Sequence, residues 1–223
     1  MKKAIVIGAT SGIGRELALI LLNNGYKVGL TGRRIRLLEE IRQTNPAHIE
    51  IMQMDITETD LIEDKLNRLR ENLGGLDLLV ISAGIGELNP SLDFSLEHTA
   101  INTNVTGFTC VAGWAFNYFQ EKRSGHLAGI TSIAGLRGSG IAPSYNATKS
   151  YQINYLEGLR QKARKQKLSV TVTDIRPGFV DTVMAKGDGQ FWVAPVLIQH
   201  NTKVLHNDSS PFLSSSFTGL FCG

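Results

Sequence analysis

The chain has little of what would place it outside the ordinary globular class. Two cysteines, Cys110 and Cys222, stand far apart among 223 residues with no CxxC spacing, so neither a disulfide framework nor a zinc site is indicated. The five histidines, His48, His98, His126, His200 and His206, form no HxxxH or HExxH pair, and no resident metal is expected. No apolar run approaches the roughly 20 residues that cross a bilayer, and Ala4 to Ile7 is too short for the core of a signal peptide. A dominant charge is also lacking: 23 basic against 20 acidic residues leave +3, too even to make nucleic acid or an anionic membrane the main partner. The expectation is a soluble, cytoplasmic protein.

What is present is 42% apolar and 19% charged residues, the balance of one compact domain. Short aliphatic runs at Lys3 to Ile7, Lys27 to Thr31, His48 to Gln53, Leu76 to Ser82, Leu127 to Ser132 and Leu168 to Ile175 read as buried parallel strands. Between them Ile13 to Asn24, Arg34 to Thr44, Thr57 to Leu73, Phe94 to Lys122 and Ser144 to Gln166 carry apolar residues at helical spacing, the fourth holding two helices. This alternation predicts a single-domain α/β fold: a doubly wound parallel sheet, Rossmann-like, in three α/β/α layers. It extends over residues 1–196, without repeat or linker. Leu197 to Gly223 has only two charged residues, Lys203 and Asp208, and five serines. This segment holds either a short helix from Pro195 to His206 and a strand around Phe217 to Phe221, or a divergent end.

GATSGIG, Gly8 to Gly14, follows the first strand and opens the first helix. Glycines there let the backbone approach a pyrophosphate, and the free N–H groups at the helix start stabilise its charge; a purely structural turn would use the same residues. About twenty residues on, the second strand ends in Leu30-Thr31-Gly32-Arg33-Arg34. No carboxylate is available there for a ribose 2′-hydroxyl, whereas two guanidiniums are available for a 2′-phosphate, which favours NADP(H) over NAD(H).

YNATK, Tyr145 to Lys149, sets a phenol and an ammonium one helical turn apart. At about 4 Å the ammonium would contribute about 4 kcal/mol, bringing a phenol from about 10 to near 7 and making it a usable acid or base. Tyr118 and Lys122 repeat the spacing, but only Tyr145 has a serine at a strand end thirteen residues earlier, Ser132 in ITSIAG. Tyr118 and Lys122 read as a helix-surface coincidence. The basic run Arg160 to Lys167 reads as a solvated helix end.

With Asp55 after the third strand, SAG at Ser82 to Gly84, NVTG at Asn104 to Gly107 and RPGFVDT at Arg176 to Thr182, the chain resembles a classical short-chain dehydrogenase/reductase over about Met1 to Val196. The resemblance implies a catalytic tetrad of Asn104, Ser132, Tyr145 and Lys149. Tyr145 would exchange a proton with the carbonyl or alcohol oxygen and Ser132 would steady that oxygen. Lys149 would hold the nicotinamide ribose, and Asn104 would anchor a water relaying protons from Lys149. It further implies a dinucleotide held by Gly8, Thr10, Ser11, Gly12, Ile13 and Gly14, by Arg33 and Arg34, and by Asp55 and Ile56. Ser82, Ala83 and Gly84, Tyr145 and Lys149, and Pro177, Gly178, Val180 and Thr182 complete that set. Ile7 and Ile81-Ser82 depart from the family pattern and are expected to weaken the ties between the fourth strand and the cofactor loop.

The implied activity is interconversion of a small carbonyl compound and its alcohol by hydride transfer. The alternatives are a weak or inactive dinucleotide-binding protein acting through protein contacts, and an isomerising or dehydrating relative. The family suggests a homodimer or homotetramer built on the YxxxK helix and the helix carrying Trp114, Phe116, Tyr118 and Phe119, although core packing explains those aromatics equally well. Substrate contacts are expected from Ile133 to Ser144 and Asp181 to Val196, with Phe191 and Trp192 favouring an apolar carbonyl compound.

Overall fold

The computed structural model describes residues 1–178. Six strands, β1 (Lys3–Ile7), β2 (Lys27–Gly32), β3 (Ile49–Gln53), β4 (Leu78–Ile81), β5 (Ser124–Ile130) and β6 (Ser169–Ile175), form one sheet in the order β3-β2-β1-β4-β5-β6. Every neighbouring pair is parallel. The order reverses between β1 and β4, which opens a crevice at their carboxyl ends.

Side-chain alternation explains the near-continuous apolar strands. Ala4 and Val6 of β1, with Leu78 and Val80 of β4, pack with Ala18 and Leu21 of α1 (Gly12–Asn23) and Leu38 and Ile41 of α2 (Ile35–Thr44). Ile5, Ile7, Leu79 and Ile81 point the opposite way. They meet α3 (Thr59–Leu73), α5 (Phe108–Lys122) and α6 (Pro143–Lys165) through Leu66, Phe116 and Leu156. Both sheet faces are thus covered, as the doubly wound reading requires.

The stretch Phe94 to Lys122 holds two α-helices, as expected, but no loop parts them: α4 (Phe94–Ile101) runs through a π-helical segment, Asn102–Gly107, into α5. The wider turn inserts a residue without ending the hydrogen-bond ladder, a device frequent at functional sites. Gly107 permits it, because a Cβ there would collide with the Ile56 carbonyl. β5 begins at Ser124 rather than Leu127, since Gly125 and His126 pair with Val170 and Thr171 despite low strand propensity. It also stops at Ile130, leaving Ser132 to cap a 3-10 turn, Ile133–Leu136.

The aromatic helix resolves toward packing. Phe116 and Phe119 lie in the core, and Trp114 stacks on Tyr118 while its Nε1–H donates to Asn67 Oδ1 at 3.2 Å. Lys122 donates to the Leu76 carbonyl at 2.8 Å and to Asp77 Oδ1 at 2.7 Å, whereas Tyr118 takes the Arg70 guanidinium over its ring, so the two serve different partners and their YxxxK spacing is a coincidence. In the basic run, Arg160 donates to the Val172 carbonyl at 3.1 Å and Lys162 lies over the Phe116 ring, so this helix end is tied to the core as well as facing water. Val180, Thr182, Phe191, Trp192, Cys222, the domain division at residue 196 and the elements expected after Pro195 lie outside the described residues.

His126 faces Thr173 Oγ1 at 2.8 Å, and burial lowers its pKa to about 4. An unfolded histidine titrates near 6.5, so the unfolded chain binds the extra proton first as pH falls. Stability fully present above about pH 6.5 is therefore lost as pH drops toward 4. After allowing for the partial exposure of the ring, the loss should be about 2 kcal/mol. Denaturant titrations at pH 7 and 4.5 should show this slope, and His126→Gln should flatten it; an unchanged slope would assign it to other groups.

Candidate active site

The carboxyl ends of β1, β2 and β4 converge on the glycine loop. Gly8 adopts φ +85, where a Cβ would lie 2.6 Å from Ala83 N, and Gly12 adopts φ +58. Both positions require glycine. The Gly8 and Ala9 N–H groups donate to the Thr31 carbonyl at 3.0 and 2.8 Å, hanging the loop on β2. The ties expected to weaken at Ile7 and Ile81-Ser82 are carried by backbone: Ser82 N donates to the Ile7 carbonyl at 2.9 Å. Ile7 and Ile81 are core side chains.

Ser11 precedes α1 in extended conformation and makes no side-chain cap, and the first turn of α1 holds no carboxylate. The positive helix end is therefore open to an anion. Instead of capping, the Ser11 and Thr10 hydroxyls accept from the Arg34 guanidinium at 2.8 and 2.7 Å. Arg33, 71% exposed, leans toward Asp55 Oδ2 at 3.9 Å. Asp55 Oδ1 accepts from the Thr57 N–H and hydroxyl. Ile56 turns its side chain into the core, so it can face a ligand only through backbone, whereas Ile13 is partly buried against the α1 cluster.

At the ends of β4 and β5 the four residues singled out in sequence come together. Asn104, 0% exposed in the π-helical segment, accepts from Ile85 N at 2.9 Å and donates to Ile85 O at 2.7 Å and Thr148 Oγ1 at 3.1 Å. It thereby grips the loop after β4. Gly84 lies beneath: a Cβ there would be 3.3 Å from both Asn104 Oδ1 and Lys149 Nζ. A Cβ at Gly86 would enter the Tyr145 ring. Ser132 accepts from Ala134 N at 3.1 Å, which leaves its own proton free to donate. Pro177 and Gly178 close the rim at the end of β6, where Ile133 N donates to the Pro177 carbonyl at 3.1 Å.

Lys149 is 5% exposed, and its ammonium donates to the Ile130 carbonyl at 3.2 Å and to Gln152 Oε1 at 3.1 Å. Burial lowers its pKa to about 8, against an opposing pull from Asp174. The expectation that this charge brings the phenol near 7 is corrected. Lys149 Nζ lies 5.9 Å from the Tyr145 ring centroid, and burial raises the phenol's pKa, with only the Ser132 hydroxyl pulling it down. Desolvating the phenolate outweighs a charge already engaged by two other acceptors.

Three contributors escaped sequence reasoning. Asn146 donates to the Ala134 and Arg137 carbonyls, both at 2.8 Å, pinning the segment after Ser132. Asp174 accepts from Thr131 Oγ1 and Arg176 Nε, each at 2.5 Å. Gln152 is wholly buried beside Lys149. Only its polar side chain one turn beyond Lys149, on the same buried helix face, could have drawn attention to it.

Glycine loop and open helix end together fit a dinucleotide, and Gly84 leaves room beside the ammonium. A sequence profile described as short chain dehydrogenase matches residues 2–191. An uncharacterised oxidoreductase of Myxococcus xanthus is 36% identical over 184 residues, covering 80% of this chain and 72% of the relative. Serine dehydrogenase from Escherichia coli superposes with TM-score 0.75 at 30% identity, covering 80% of this chain and 82% of that one. The structure of ElxO with NADP bound matches at TM-score 0.75 and 28% identity, over 83% of this chain and 77% of its own. A profile over most of the chain, agreeing with the fold and with the glycine loop, settles the family: the chain belongs to the short-chain dehydrogenases and is an NAD(P)-dependent dehydrogenase or reductase.

Proposed function

We propose that this enzyme interconverts a small carbonyl compound and its alcohol with NADP(H), using Tyr145 as acid and base. The observation that carries the reading is the meeting of Ser132, Tyr145, Lys149 and Asn104 at the strand ends beside the glycine loop. A cytoplasmic homodimer or homotetramer completes it, supported by exposed apolar side chains at Leu92, Phe94 and Ile101 on and beside α4 and Tyr151 on α6.

When bound, the nicotinamide supplies or accepts the hydride. The backbone of Gly8 to Gly14 and the α1 N-terminus would hold the pyrophosphate. Arg34, aligned by Thr10 and Ser11, would take the 2′-phosphate together with Arg33, and Asp55, Ser82, Ala83, Pro177 and Gly178 would contribute to the rest of the cleft. Val180 and Thr182 are proposed from sequence alone. Lys149 has three N–H donors, two of them engaged; the third would hold the ribose hydroxyls. Ser132 donates to the substrate oxygen, a contact worth about 3 kcal/mol where charge develops. Tyr145, kept neutral by burial, gives its proton to that oxygen in reduction and recovers it in oxidation. A phenol held protonated is poised for the reductive direction.

Tyr145→Phe should lower turnover by about 10²-fold or more with NADPH affinity retained, and Tyr118→Phe should leave turnover within about twofold, because the hydroxyl it removes lies outside the site. Turnover on a panel of carbonyl compounds checks both, and unchanged activity in Tyr145→Phe would remove Tyr145 from the mechanism.

Arg34→Ala should weaken NADPH about 10- to 100-fold and NADH little, since a charge-assisted contact is worth about 1.5–3 kcal/mol. Arg33→Ala should have a smaller effect. Parallel calorimetric titrations decide, and equal losses for the two cofactors would move the phosphate contact elsewhere.

The reductive rate should hold constant up to about pH 7 and decline through about 8 as Lys149 loses its proton. A pH-rate profile with a flat response from 7 to 9 would show that the ammonium is not needed.

A further inference from the structure

Seven residues after Tyr145, one turn beyond Lys149, α6 presents Gln152, wholly buried. Its Oε1 accepts from Lys149 Nζ at 3.1 Å and its Nε2–H donates to the Asn104 backbone carbonyl at 2.9 Å. The orientation of the carboxamide is unambiguous, because an ammonium can only donate and a carbonyl can only accept. The Asn104 carbonyl thus takes a hydrogen bond from a side-chain amide whose other end is held by the ammonium.

We propose that Gln152 is a positioning residue that holds the Lys149 ammonium in its active orientation by bridging it to the Asn104 carbonyl, a fixed clamp between α6 and the π-helical segment. The geometry ties three elements. Asn104 belongs to the π-helical segment and grips the loop after β4, Lys149 also donates to the end of β5, and both clamp residues belong to α6. Thr148 reinforces the same seam, accepting from Asn104 Nδ2 and donating to the Tyr145 carbonyl at 2.8 Å. The clamp therefore fixes the ammonium relative to Tyr145 and to Gly84 together.

A buried cation that loses an acceptor is less stable in its charged form. Among the described residues, the titratable and charged groups facing this ammonium are Tyr145 one turn earlier and Asp174 on β6, the latter paired with Arg176. The π-helical segment and the loop after β4 present neutral Asn104 and Gly84. Gln152 is thus the group whose replacement alters the ammonium without altering a charged neighbour. The inference rests on the proposed role of Lys149 for its catalytic meaning, though not for its geometry.

The test uses full-length protein labelled with 13C,15N-lysine and 15N-glutamine, with Lys149→Arg to assign the lysine signal. In the unmodified protein the Gln152 side-chain amide should titrate with the same midpoint as Lys149. An amide signal unresponsive to that titration overturns the clamp, whatever the variants do. Gln152→Met, similar in length but without the acceptor, should lower the Lys149 midpoint by about one pH unit, and Gln152→Glu should raise it by at least as much. Midpoints within about 0.2 unit of the unmodified protein, in variants folded by circular dichroism, would reduce Gln152 to core packing; the figure is small beside the unit that one charge-assisted bond is worth. If one variant fails to fold, the other and the amide titration decide. The descending limb of the NADPH-dependent rate should move the same way as each midpoint. Absence of any carbonyl-reducing activity in the unmodified protein would refute the proposed reaction, and the lysine titration would still decide the clamp.

Discussion

Lys149 is 5% exposed, and a charge taken that far out of water costs several kcal/mol unless hydrogen bonds replace its hydration. Those bonds come from the end of β5 through Ile130 and from α6 through Gln152, which in turn anchors on the π-helical segment. The centre of the enzyme is arranged around meeting that requirement. Remove the π turn and the Asn104 carbonyl no longer reaches Gln152; replace Gly84 and a methyl presses on the ammonium. Asp174 on β6 adds an opposite charge that offsets part of the burial cost.

Tyr145 experiences the same burial with the opposite consequence. For an amine, desolvation favours the neutral form and lowers the pKa toward neutrality; for a phenol it favours the protonated form and raises the pKa. The pair in this conformation is a proton-loaded phenol beside an ammonium that titrates within reach of neutral pH. Ser132 works against the burial of the phenol while its own backbone contact with Ala134 holds it still. Tyrosine chemistry at this site is thus set by the balance of solvation and one hydroxyl, not by the lysine alone.

The cofactor end obeys a different constraint, set by backbone geometry. Gly8 and Gly12 supply left-handed conformations, and the bonds from Gly8 and Ala9 to Thr31 fasten the loop to β2. Because β2 ends there, the residues following it stand over the loop, and Arg34 meets Thr10 and Ser11 across it. Either arginine satisfies the charge argument made from sequence. Which one turns inward depends on the first turn of α2, whose start places Arg34 on the loop side and leaves Arg33 to solvent and Asp55.

Strand positions, helix alternation, the glycine loop and the meeting of Ser132 with Tyr145 were legible because each is a local pattern whose physical cause is periodicity or backbone freedom. Parallel strands buried on both faces must be apolar throughout, so β1, β2 and β4 could be read directly. The π-helical segment was not legible, because its extra residue is held by Gly107 against Ile56, a contact between elements remote in sequence. Nor was the start of β5, whose glycine and histidine are strand residues only because β6 pairs with them. The amino-acid sequence by itself determined the layered sheet, the loop for a dinucleotide and the four polar residues at its edge. Tertiary structure alone decided the inward arginine, the neutral phenol and the Gln152 bridge, since each depends on distance and desolvation between segments that only folding brings together.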